Sequence, residues 1–170
     1  ALPVYLSSVF GWDFWQVGGF LAAWVIGYGI VQSLAPNITG KTRGHVPDGR
    51  AAFLWALALA GLPAAIALGL NTGLSPQAVL LGGLMVFGVL FAVNSSLHSY
   101  LIVSYAKEDG VSLDVGFYYM SNALGRLMGT VLSGWVYQVS GLGACLWISS
   151  AFVLLAALIS MALPRHALSE

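Results

Sequence analysis

Within the run "SNALGRLMGTVLSG", Ser121 to Gly134, one arginine, Arg126, stands among small and apolar residues. A guanidinium is permanently charged and presents a rigid fork of donors, so its natural counterpart is a carboxylate, a phosphate or a similar oxyanion. The side chains around it recur at helical spacing. Asn122 lies one turn before Arg126, Tyr118 or Tyr119 a further turn before that, and Thr130 one turn after, which makes a polar stripe. About 100° round the same helix, Ser121, Gly125, Gly129 and Ser133 form a small-residue ridge of the kind that lets another helix approach closely. A second polar group lies in "NSSLHSY", where Asn94 and His98 share a face at i, i+4 and Tyr105 follows about two turns on. Imidazole changes charge between about pH 5 and 8. His98 therefore offers a proton carrier or a hydrogen bond to a phosphate-like group, its plainer role being a satisfied interhelical hydrogen bond.

These groups belong to a chain with little other charge. Of 170 residues, 59% are hydrophobic and 7% charged, with a mean hydropathy of +0.88, whereas an ordinary soluble domain is about 25% charged. Such a composition reads as a membrane protein. Six Lys and Arg balance six Asp and Glu and are scattered, so no basic face follows a phosphate backbone and nucleic-acid binding is dismissed. The single cysteine, Cys145, excludes a disulfide framework and reads as a small core or lipid-facing residue. No metal or other cofactor is expected. HExxH, GxSxG and Walker patterns and paired carboxylates are missing, so an enzyme is not expected either.

A spanning helix needs about 20 apolar residues, and Gly, Pro and Asn clusters divide the chain into segments of that size. The expected spans are 15–35 (ended by Pro36), 51–70, 76–106, 112–138 and 142–163, after a partial one over 1–10. The chain reads as a fragment that begins partway through a transmembrane helix. Lys41, Arg43 and Arg50 follow the second segment, Lys107 the fourth and Arg165 the last, whereas the alternate turns lack Lys and Arg. By the positive-inside rule the long loop and the carboxyl end are expected in the cytoplasm. Trp12, Trp15, Trp135 and Tyr137 fall near the opposite ends, where aromatic belts sit. Asp13 and Asp114 precede the second and fifth segments and are expected to cap them. The third and last segments, almost wholly aliphatic, read as peripheral and lipid-facing.

A weak repeat lays Val17 to Tyr28 on Val115 to Arg126, with Gly27 on Gly125 and Tyr28 on Arg126. The two segments cross in opposite directions by the charge pattern, as in the inverted three-plus-three repeats of secondary transporters. Arg126 lies about 14 residues into its span, some 20 Å along the axis and close to the bilayer midplane. Facing lipid there would cost on the order of 2.5–3.5 kcal/mol. The guanidinium is therefore expected to meet an anion in a water-filled cavity, the alternative being an internal ion pair or a clamp on the carbonyls of an adjacent helix.

The runs Phe91 to Gln138 and Ala1 to Gln32, with "VPDGR" at Val46 to Arg50, resemble the carboxyl-terminal half of the ArsJ family of organoarsenical efflux permeases, in the major facilitator superfamily. "GKTRGHVPDGR" also resembles, in degenerate form, the Gly- and Arg-rich loop between the second and third helices of each half of such proteins. The resemblance implies a twelve-helix bacterial inner-membrane exporter, of which the chain holds the end of helix seven through helix twelve. It also implies an anionic cargo, 1-arseno-3-phosphoglycerate, made by a glyceraldehyde-3-phosphate dehydrogenase and lost to arsenate after export. Arg126, Asn122, Tyr118, Tyr119, Asn94 and His98 are the expected substrate contacts by depth and helix face. An exporter of another small anion, a sugar phosphate or a drug, and a non-transporting membrane scaffold, are the alternative readings.

Overall fold

A computed structural model describes residues 1–38, 49–105 and 111–162. Regular structure among these residues is helical throughout: α1 (Leu2–Phe10), α2 (Phe14–Ile38), α3 (Gly49–Gly69), α4 (Pro76–Tyr105) and α5 (Val111–Ser160). Four helical stretches, Phe14–Asn37, Gly49–Gly69, Pro76–Ser104 and Ser112–Ser160, are long and apolar enough to cross a membrane. The basic residues Lys41, Arg43, Lys107 and Arg165, and most of the Gly- and Arg-rich loop, lie outside the described residues.

Local chemistry sets the corners. α1 begins with Pro3 in its first turn and stops at Gly11, whose left-handed φ of 70° lets the Trp12 N–H return to the Leu6 carbonyl at 3.2 Å. A capping box then starts α2. The Gln16 N–H donates to Asp13 Oδ1 at 2.8 Å, and the Asp13 N–H donates to Gln16 Oε1 at 3.0 Å. Asp13 is thus a helix cap, whereas Asp114 lies inside the first turn of α5, where the helix dipole favours its charge. Pro36 does not end α2, which continues to Ile38; a proline's φ of about −65° suits a helix, and its missing N–H removes one backbone bond to the preceding turn.

α5 is two helices joined at one residue. Gly141, with φ 75° and ψ −174°, is non-helical and occupies a region open essentially to glycine alone. Two arms, 111–140 and 142–160, meet there. The Cys145 thiol of the second arm reaches the Ser133 carbonyl of the first at 3.5 Å. Cys145 is accordingly a buried packing residue.

α4 packs on α2 and α3, α3 also packs along α5, and α4 meets α5 only briefly. One core cluster, Leu6, Ile66 and Leu80, gathers the ends where the chain turns sharply, with Trp12, Phe20, Leu142 and Leu146 against it. Another, Ala52, Leu97 and Leu101, joins α3 to α4 towards the opposite end. Trp12 thus packs inward, edge-on to Phe20 at 5.7 Å, while Trp15 is 81% exposed.

The expectation that the third segment is peripheral needs correcting. α3 buries Ala52, Ala56, Leu59, Ala60, Pro63, Ile66 and Ala67 along one side, because small residues at helical spacing let backbones come close. A Cβ at Gly83 would clash with the Ile66 side chain, so α3 and α4 approach on a bare backbone. Near Pro63, which leaves a backbone carbonyl of the preceding turn without its amide donor, the Ser150 hydroxyl donates to the Ala60 carbonyl at 2.7 Å. The outer sides carry Ile26, Ile30, Leu127, Met128, Val131 and many more exposed apolar side chains, the pattern of a bundle whose solvent is lipid.

Candidate functional site

The polar residues expected at the site fall on α4 and the first arm of α5, which diverge after a brief contact. The described polar side-chain contact between them is Ser99 Oγ to Tyr118 Oη, at 3.5 Å. This sets the register. α4 and the first arm are antiparallel, so residues before Ser99 on α4 run alongside residues after Tyr118 on α5. Asn122 is about 6 Å beyond Tyr118 along the axis, near the level of Ser95, and Arg126 about 12 Å beyond, near that of Phe91.

On α4, His98 is half-buried, and its Nδ1 lies 2.9 Å from the Asn94 main-chain carbonyl. A carbonyl oxygen only accepts, so Nδ1 carries a proton in that contact. Asn94 Oδ1 is buried and has no hydrogen-bond partner, an acceptor that lacks a donor. Asn94 and His98 therefore do hold one face, linked through backbone rather than through their side chains. The side chain of Tyr105 lies outside the description.

On α5, residues 121–130 are exposed throughout. The Thr130 hydroxyl turns back to the Arg126 carbonyl at 2.8 Å, and Ser133 to the Thr130 carbonyl at 3.1 Å, so both hydroxyls are spent within the helix. Of the two tyrosines, Tyr118 reaches α4, whereas Tyr119 is 62% exposed and touches Tyr118 edge-on at 5.4 Å. Arg126 has neither an ion pair nor a side-chain hydrogen bond among the described residues. The small-residue ridge is bare as well: Cβ atoms built at Gly125 and Gly129 meet nothing within 4 Å. Among the described residues, its last member, Ser133, meets the second arm, through its carbonyl to Cys145.

Two features escaped sequence reading. Ser99, the partner of Tyr118, was hidden among several serines. An aromatic ladder runs from Trp24 through Tyr28 and Phe91 to Phe87, with successive centroids 5.9, 5.6 and 5.7 Å apart. Its signal was present as aromatic pairs at i, i+4 on α2 and on α4. It flanks the level of Arg126 and stiffens the α2–α4 pair. A cavity of about 440 Å³, lined by Pro3, Val4, Ser7, Ser8, Asp13, Phe14 and Val17, opens between α1 and α2 and holds none of the expected site residues.

Chemically, the first arm of α5 carries a cation and phenols and α4 an amide and an imidazole, and the two helices' polar side chains meet at Ser99 and Tyr118. No group of His, Cys, Asp and Glu suited to a metal occurs among the described residues. The fold and these residues define an all-helical protein with four helices of membrane-spanning length and apolarity. Comparison with protein-family models, curated proteins and solved structures gives no match.

Proposed function

We propose that the chain is the carboxyl-terminal half of a major facilitator exporter in the bacterial inner membrane, which moves a small organic anion outward by alternating access. The observation that carries this reading is Arg126, a permanent charge deep in an apolar helix and without a partner among the described residues. A membrane helix bears that cost when the arginine faces a watery path and a ligand. The inverted-repeat order supports it. In this reading α1, α2 and α3 are answered by α4 and the two arms of α5, with α2 matched to the first arm by the weak repeat of Val17 to Tyr28 on Val115 to Arg126.

Arg126 holds a phosphate or arsenate group of the cargo, with Tyr118, Asn122, Asn94 and His98 as hydrogen-bonding neighbours and Tyr119 at the margin. The bare ridge of Ser121, Gly125 and Gly129 packs against the amino-terminal bundle of the same protein. The ArsJ resemblance makes the cargo 1-arseno-3-phosphoglycerate, supplied by a glyceraldehyde-3-phosphate dehydrogenase, and the physiological result arsenate resistance. The long loop and the carboxyl end are cytoplasmic in this reading, by the distribution of Lys and Arg.

Uptake of the arsenylated phosphoglycerate into everted vesicles containing the full-length protein tests the proposal. Export is expected from the wild type and not from Arg126→Gln. Wild-type rates in that variant refute the anion site, and uptake of other phosphate esters in place of the arsenical moves the assignment to a general anion exporter.

A further inference from the structure

The cavity between α1 and α2, about 440 Å³, is large enough to hold a small ligand, and its lining changes with depth. Asp13 follows the Gly11 corner that ends α1, so its carboxylate stands at the turn. Ser7 and Ser8 lie about one helical turn back along α1, and Pro3 and Val4 a further turn, about 6 Å deeper; Val17 lines the α2 side one turn in from Asp13. The rim is polar and the far end apolar.

The rim is rich in acceptors. Asp13 Oδ1 takes the Gln16 N–H at 2.8 Å, while Oδ2 has no partner among the described residues. The Ser8 hydroxyl gives its proton to the Val4 carbonyl at 2.7 Å and keeps its lone pairs, and the Ser7 hydroxyl has no partner among the described residues. No Lys, Arg or His lines the cavity. The carboxyl end of α1 and the amino end of α2 meet here, so their opposite partial charges offset each other and the Asp13 charge sets the sign. Directly after Asp13 come Phe14 and Trp15, 80% and 81% exposed, their rings edge-on at 5.5 Å. Exposed aromatic rings at the end of an apolar span mark the membrane–water boundary. The carboxylate is therefore at headgroup level and the apolar end at the level of the acyl chains.

We propose that this cavity seats the primary ammonium headgroup of an aminophospholipid. The ammonium offers three N–H donors to a rim of acceptors and donates to Asp13 Oδ2 and the Ser7 hydroxyl, while an acyl chain leaves past Val4 and Val17. An occupant of this lining needs a charged head and an apolar tail, which a lipid supplies and a small hydrophilic amine does not. A quaternary choline headgroup has no N–H to give, and a glycerol headgroup has no positive charge to set against Asp13. None of the residues of the anion site takes part.

The full-length protein in detergent is titrated with phosphatidylethanolamine, phosphatidylcholine and phosphatidylglycerol of the same acyl chains, and the adducts are counted by native mass spectrometry. Phosphatidylethanolamine is expected to bind about two- to fivefold more tightly than either of the others, the range of an exposed ion pair. Asp13→Asn removes the charge and keeps the cap, because asparagine caps a helix as well as aspartate does. In that variant the preference is expected to vanish while helicity by circular dichroism stays unchanged. Val4→Phe, which keeps both charge and cap, fills the apolar end and is expected to weaken phosphatidylethanolamine binding. Arg126→Gln is expected to keep the preference, so this site stands or falls separately from the anion site. Equal binding of the three lipids by the wild type overturns the proposal, as does a preference that survives both Asp13→Asn and Val4→Phe. Binding of dodecylamine without selective binding of phosphatidylethanolamine overturns the lipid as occupant.

Discussion

The indole N–H of Trp24 donates to the main-chain oxygen of Leu84 at 2.9 Å, and one turn further along α4 the same ring covers Gly88. A Cβ at Gly88 would lie 3.0 Å from the indole nitrogen and 3.1 and 3.2 Å from two ring carbons. The glycine is there to admit the ring. Gly88→Ala is therefore expected to destabilise the bundle, although alanine alone favours a helix by about 0.8–1.0 kcal/mol. In a Trp24→Phe background the fused ring is gone and the sign reverses, so the same alanine stabilises. Thermal unfolding of the four proteins of this cycle in detergent measures the coupling, expected at about 0.5–3 kcal/mol. Additive effects would mean that the ring and the glycine do not meet.

Arg126 separates a ligand-binding from a structural role by stability alone. With no intrachain partner among the described residues, Arg126→Leu is expected to leave the fold intact and to ease membrane insertion by about 2.5–3.5 kcal/mol on insertion scales. An arginine that clamped a neighbouring helix would give the opposite result. Melting temperature and insertion efficiency of the variant, each against wild type, distinguish the two.

The elements were legible in sequence because hydropathy and turn residues both report on them: Gly11 with Asp13, and the Asn71 to Ser75 turn, fall where helices end. The polar stripes were legible because a charge or an imidazole in an apolar helix has few neutral explanations. Relations between helices were less so. The Ala52, Ala56, Ala60 and Ala67 stripe of α3 is as apolar as its lipid-facing leucines, and hydropathy does not separate a side chain packed on protein from one packed on lipid. Size does: Ala52, Ala56, Ala60 and Ala67 make a small-residue ridge like that of Ser121 to Ser133, and such a ridge places α3 against its neighbours. The choice between Tyr118 and Tyr119 depended on a crossing that one chain's periodicity does not specify.

Gly125 lies in open space with ordinary helical geometry. In this chain alone, Gly125→Ala is expected to raise stability by up to about 1 kcal/mol through helix propensity. If the ridge seats another helix in the full-length protein, Gly125→Leu lowers transport or assembly there while remaining harmless in the isolated chain. Parallel melting and transport assays on both lengths read the difference, and a leucine tolerated in both would leave the ridge without a packing role.

Gly141 makes the sharpest demand on residue type. Its φ of 75° with ψ −174° lies where a Cβ is strained, yet nothing stands within 4 Å of the position that Cβ would take. Any cost of substitution is therefore in the backbone and not in crowding. Gly141→Ala is expected to lose about 1–3 kcal/mol, whereas Gly143→Ala, also without neighbours but without a positive φ, is expected to be neutral or mildly stabilising. The loss has a structural consequence that can be followed separately. The corner turns the second arm of α5 back so that Cys145 reaches Ser133 at 3.5 Å and Ser150 reaches Ala60 at 2.7 Å. An alanine that relaxes towards helical geometry straightens α5 and separates both pairs. Thiol-reactive labelling of Cys145, buried in the wild type, is then expected to accelerate in Gly141→Ala and not in Gly143→Ala. Equal labelling in the two variants, with equal stability, would show that the corner is held by packing of the arms and not by the glycine.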